Sequence, residues 1–138
     1  MGRFNPVAIP DATTYTVREY NSGIKHILPD LTANITISLP TAAAGLEYEF
    51  WYAGGAADGE DWIIDAGSDT NFYIGGLVHL TDGTPDIEVV YSDGDSNSVL
   101  TVETPEAGTS VRLHCNGTNW YVNGQVVGGN APAFANQA

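Results

Sequence analysis

Apolar and polar residues alternate with a period of two along most of the chain, the pattern of strands with one face buried and one exposed. The run Asn34-Ile35-Thr36-Ile37-Ser38-Leu39 alternates strictly and stops at Pro40, a residue that cannot donate to a sheet ladder. Leu46-Glu47-Tyr48-Glu49-Phe50-Trp51-Tyr52 places Leu46, Tyr48, Phe50 and Tyr52 on one side, and Trp51 on the other beside Glu47 and Glu49. Further strands are predicted at 62–66, 71–75, 77–81, 86–92, 98–103, 110–115 and 119–123, the last turning at Asn123-Gly124 into 125–127. No window of a dozen residues carries the 3.6-residue period of an amphipathic helix. At most a short turn is expected from Thr41 to Ala44.

The punctuation agrees. Asp58-Gly59, Asp82-Gly83, Asp93-Gly94, Asn116-Gly117 and Asn123-Gly124 are dipeptides that tolerate positive φ in tight turns. The last two separate short strands, so the C-terminal third reads as an antiparallel meander. Many short strands between turn signals predict an all-β fold, an antiparallel β-sandwich or jelly-roll-like single domain, over residues 15–127. Residues 1–14 read as an extended N-terminal arm, because Pro6 and Pro10 exclude a helix and hold the preceding residues extended. Its Phe4, Val7 and Ile9 seek an apolar surface, so the arm is either a disordered tail or a segment lying along a partner. Residues 128–138 are small and polar and are expected to be a flexible tail.

Composition narrows the function classes. With 138 residues, 43% of them hydrophobic, the chain suits one domain that hides roughly two-thirds of its unfolded surface. Seventeen Asp and Glu stand against four Lys and Arg, a net charge of -13. Such a surface repels nucleic acid and anionic membranes and favours a neutral or basic partner; a general solubility role explains it equally. The opening MGRFNPVAIP has no sustained apolar stretch, so neither a signal peptide nor a membrane span is expected, and synthesis in the cytosol follows.

The inventory of chemistry is sparse, and no cofactor is expected. Cys115 is the single cysteine; alternation puts it on the core side of its strand with Val111 and Leu113, and His114 on the opposite face. His26, His79 and His114 are scattered without HxH or HExxH spacing, which argues against zinc. Asp93, Asp95 and Asn97 offer oxygens at alternate positions as a calcium loop begins, but Ser98 and Thr104 stand where an EF-hand requires Gly and Glu. A hairpin loop closed by Asx-turns is the competing reading. Asp58, Glu60 and Asp61 cluster, yet nothing sets two carboxylates at a glycosidase separation. There is no GxSxG elbow, and Gly54-Gly55, Gly75-Gly76 and Gly128-Gly129 lack the lysine of a phosphate-binding loop. Trp62 and Trp120 alternate into the core, whereas Trp51 is left for surface or interface. No enzyme is expected.

Several stretches resemble small phage structural domains, namely capsid decoration (cement) proteins and the related head-fibre and tail-fibre modules. They are YNSGIKHILPDLTANITISLPTAAAGLEYEFWY (20–52), FYIGGLVHL (72–80), SDGDSNS (92–98) and GTSVRLHCNGTNWYVNG (108–124). The run Ile37, Leu39, Pro40, Ala44, Gly45, Tyr48, Phe50 is similar to a strand-turn-strand unit of these proteins, as is the closing run from Val111 to Val122. The resemblance implies a homotrimer on the outer surface of the expanded head, binding the major capsid protein at capsomer junctions, with Phe4, Val7 and Ile9 as a capsid-contact arm. The alternatives are a receptor- or carbohydrate-binding module of a phage fibre or spike, with Trp51 at its interface, and a small carboxylate-dependent hydrolase.

Overall fold

The computed structural model describes residues 5–54, 59–81 and 86–136. Twelve strands run through them: β1 Val7–Ala8, β2 Thr14–Thr16, β3 Lys25–Leu28, β4 Ile35–Ser38, β5 Glu47–Tyr52, β6 Trp62–Asp65, β7 Tyr73–Thr81, β8 Ile87–Asp93, β9 Val99–Val102, β10 Ser110–Cys115, β11 Trp120–Gly128 and β12 Ala133–Ala135. The strands form a seven-stranded sheet, β1-β3-β5-β10-β11-β7-β8, and a five-stranded sheet, β12-β9-β6-β4-β2. The protein is an all-β sandwich of these two sheets.

Its winding differs from the antiparallel, jelly-roll-like expectation. From β1 to β7, successive strands fall alternately in the two sheets. Strands two apart therefore become neighbours running the same way: β1, β3 and β5 are parallel, and so are β2, β4 and β6. With β7 beside β11, five of the ten pairings are parallel. Parallel neighbours need a crossover connection; for the four pairs between β1 and β6 each crossover includes a strand of the opposite sheet, whereas β7 reaches β11 through β8, β9 and β10. Side chains alternate with the same period in both kinds of ladder, so the hydrophobic pattern carries no sign of the direction.

The inner faces meet as the alternation predicts. Ile35, Ile37, Trp62 and Ile64 of the smaller sheet pack against Tyr48, Phe50, Leu113 and Trp120 of the larger, all at most 2% exposed. Tyr52 and Trp62 touch across the sheets with ring centres 6.4 Å apart. The Tyr73 hydroxyl crosses the core to donate to the Ile64 carbonyl at 2.8 Å, and its complete burial raises its pKa well above the ordinary tyrosine value. Cys115 is buried on the core side and His114 exposed on the other.

Four sequence expectations are corrected. The arm is not free: Val7 and Ala8 pair in parallel with His26 and Ile27, and Thr14 already belongs to β2. Ile9 is 2% exposed within the core, and its N–H donates to the Ile27 carbonyl at 2.9 Å. The apolar surface that Ile9 seeks is the protein's own core, and Val7 is half-buried in the β1/β3 ladder; Phe4 lies outside the described residues. The tail, likewise, returns to the fold, because Ala133–Ala135 pairs with β9. Finally, Asn123-Gly124 makes no turn, since β11 passes straight through it opposite Arg112 and Val111. The segments 71–75 and 77–81 similarly merge into the single strand β7.

Ile9→Ala is expected to destabilise the protein by about 2–5 kcal/mol, the usual cost of truncating a buried Ile, read as a lower urea midpoint. An unchanged midpoint would make residues 1–14 a free arm after all.

His26 supplies a second expectation. It is fully buried, its Nδ1–H donates to the Ile24 carbonyl at 2.9 Å, and its ring packs on Tyr48 and Phe50 at 5.6 and 5.4 Å. Burial lowers its pKa, and the bond to Ile24 offsets this only in part. The folded state thus holds a neutral ring, while the unfolded chain binds a proton below the ordinary value of about 6.5. Stability from this group is fully present above that pH and falls as the pH drops from there toward the lowered folded-state value. The acid-side fall in unfolding midpoint should be shallower in His26→Leu than in wild type across this window. Equal slopes would contradict the assignment.

Candidate interaction surface

The outer face of the larger sheet carries the exposed aromatics Trp51, Tyr91 and Tyr121 and most of the described basic side chains. On β5, alternation that buries Tyr48, Phe50 and Tyr52 turns Glu47, Glu49 and Trp51 outward. On β10 the same logic turns out Arg112 and His114, and on β11 Tyr121 and Asn123. The ladders bring these distant segments together: Arg112 lies opposite both Glu49 and Asn123, and His114 opposite both Glu47 and Tyr121.

Glu49 organises this region. Its carboxylate is 3.7 Å from Lys25 Nζ and 3.8 Å from Arg112 Nη2, and it accepts the Trp51 indole N–H at 2.9 Å. The two ion pairs are largely exposed and stabilise little; their effect is to hold the cations and the indole in place. His114 and Tyr121 pack as a cross-strand pair, ring centres 5.0 Å apart. Beside them a shallow depression of about 210 Å³ is lined by Ile74, Arg112, His114, Tyr121 and Asn123, and by no carboxylate.

The charge is distributed unevenly. Among the described strand residues, Lys25 and Arg112 point out on this face, against the three carboxylates Glu47, Glu49 and Asp93. The face is near neutral on a chain of net charge -13, so it is where another macromolecular surface can approach with the least electrostatic cost.

The other sequence candidates take structural roles. Asp93 accepts the Asp95 N–H at 3.0 Å, an Asx-turn with Gly94 at φ 87. Asn97 turns instead to Ser92, donating to its hydroxyl at 3.2 Å. The loop thus closes on its own hydrogen bonds, and among the described residues no group of three His, Cys, Asp or Glu could hold a metal ion. Asp61 accepts the Thr104 N–H at 3.0 Å, tying two loops together; Asp58 lies outside the described residues. His26 and His79 are buried, unlike the exposed His114, the latter of the two with Nε2 2.9 Å from the Gly128 carbonyl and Nδ1 3.4 Å from Glu88. Trp62 and Trp120 are completely buried, and Trp51 is 37% exposed.

Sequence reading singled out Trp51 but missed Arg112, His114 and Tyr121 as its companions. Each is legible as outward-facing; their meeting depends on strand register. No helix among the described residues is long and apolar enough to cross a membrane. No family model matches the sequence, and no curated protein matches it.

Proposed function

We propose that the chain is a structural protein of a phage virion, a capsid decoration protein that binds the outer surface of the expanded head and stabilises capsomer junctions. The observation that carries the reading is the outer sheet face just described: near neutral, bearing Trp51 and Tyr121, on an otherwise strongly acidic β-sandwich. A binding face of this kind has aromatic anchors with a polar surround, and repetition by shell symmetry turns a modest contact into firm attachment. The resemblance of segments 20–52 and 108–124 to decoration proteins points the same way. The acidic remainder would face solvent and keep the particle from clinging to released nucleic acid.

The face gives the reading a specific test. Trp51→Ala combined with Tyr121→Ala is expected to weaken attachment to expanded, undecorated heads by roughly tenfold or more, as for aromatic anchors. The unfolding midpoint should stay near that of wild type, because both side chains are exposed. Equal attachment by the double variant would remove this face from the account.

The depression between Arg112, His114 and Tyr121 favours a second reading, a receptor- or carbohydrate-binding module of a fibre or spike. An aromatic ring beside hydrogen-bonding side chains is the equipment such a site needs. Binding to glycans that Tyr121→Ala abolishes, without attachment to heads, would favour it.

A further inference from the structure

β8 ends the larger sheet and pairs, among the described strands, with β7 alone. The other three sheet edges are very short: two residues in β1 and three each in β2 and β12. Short edges are one way a sheet avoids joining another. β8 is seven residues long, and on its outer face Ile87, Val89 and Tyr91 are 69%, 62% and 72% exposed. Half-buried Ile74, Val78 and Leu80 of β7 continue the apolar strip beside them. Glu88 points the other way, toward His79. Between Ile87 and Tyr91 the outer face of the edge carries no charge of the kind that normally guards such a strand; Asp93, at its end, is the one outward carboxylate of β8.

We propose that β8 pairs with β8 of a second copy, antiparallel about a two-fold axis at Val90, joining two larger sheets into one. The open backbone groups select this arrangement. The Thr81 N–H donates to the Asp86 carbonyl, and alternation along an antiparallel ladder then turns the groups of Asp86, Glu88, Val90 and Ser92 toward β7. Those of Ile87, Val89, Tyr91 and Asp93 face away. A two-fold axis at Val90 sets Val89 opposite Tyr91 and Ile87 opposite Asp93, so every open group meets an open group and the whole strand is used. It also sets Glu88 opposite Ser92, so no carboxylate of β8 faces another. The two Val89–Tyr91 pairs are of the aromatic and β-branched kind that stabilises sheets.

Self-pairing is favoured over a foreign partner by charge. Two chains of net charge -13 repel except where their contact is uncharged, and this strip is such a place. A basic partner would find no outward carboxylate between Ile87 and Tyr91 to recognise. Seven residues a side make a contact near the lower limit of specific interfaces, about 1,200 Å² in total, so the dimer should dissociate on dilution. The pairing is isologous and closes at two copies; a trimer would need another surface. It does not rest on the decoration reading, since it uses the opposite end of the sheet from Trp51.

Sedimentation velocity over a concentration series tests the proposal with the full chain. Wild type is expected to show a monomer–dimer equilibrium. Val89→Glu with Tyr91→Glu should weaken it by roughly tenfold or more, because two attractive cross-strand pairs become two like-charge pairs. Val89→Lys with Tyr91→Lys should do the same alone. An equimolar mixture of the two double variants should restore the dimer, a result that misfolding of either cannot produce. A wild type that stays monomeric at every concentration, a dimer indifferent to both variants, or a mixture that stays monomeric would overturn the proposal.

Discussion

Gly124→Ala is expected to destabilise the protein by about 3 kcal/mol or more, an effect out of proportion to one added methyl group. Gly124 lies inside β11 at φ 140, a backbone region that costs a residue with a side chain about 1–3 kcal/mol. A Cβ there would also stand 2.2 Å from the Ser110 carbonyl oxygen and 3.1 Å from the Val111 Cα of the adjoining strand. Those are backbone atoms held in the β10/β11 ladder, so they can yield only by opening the sheet between two of its central strands. Gly129→Ala, where an added Cβ meets nothing within 4 Å, is the control and should be nearly neutral. Chemical denaturation of both variants checks this. A Gly124→Ala midpoint close to wild type would mean that β11 does not pass through this position as described.

Trp120→Ala is expected to cost about 3–5 kcal/mol, the range for deleting a large aromatic from a core. The side chain is completely buried, with Tyr48 6.2 Å away, ring centre to ring centre, and it sits between β10 and β7 in register with Cys115 and Tyr73. Trp120→Phe should cost far less than its loss of volume suggests. The indole N–H is buried without a protein partner among the described residues, and a buried unpaired donor carries a desolvation cost of about 1–3 kcal/mol that phenylalanine removes. The comparison separates packing from polarity: similar losses in the two variants would show that the indole nitrogen is satisfied in the native state.

These two positions also show what the sequence reveals and what it withholds. Strand identity is plain wherever one face is buried, as at Ile35, Ile37 and Leu39 or at Val111, Leu113 and Cys115, because burial imposes the two-residue period. Direction is not, since parallel and antiparallel neighbours impose the same period; nothing in residues 14–65 announces that alternate strands share a sheet. Asn123-Gly124 misleads for a definite reason. Glycine is needed at positive φ in a tight turn and equally in an extended strand whose neighbour approaches too closely for a Cβ. Pro6 and Pro10 truthfully mark an extended segment, but extension is compatible with an arm and with β1 alike, and Ile9's burial decides between them. At the candidate site, each outward side chain is legible from its buried neighbours. The assembly of Trp51, Glu49, Arg112 and Tyr121 is not, because it depends on register between segments some sixty residues apart.

The central claim is that this protein attaches to a phage head, and co-sedimentation of the purified chain with expanded, undecorated heads, counting bound copies, tests it most directly. The account predicts saturation at a fixed number of copies per capsomer junction. A folded protein that remains in the supernatant at every concentration would contradict it.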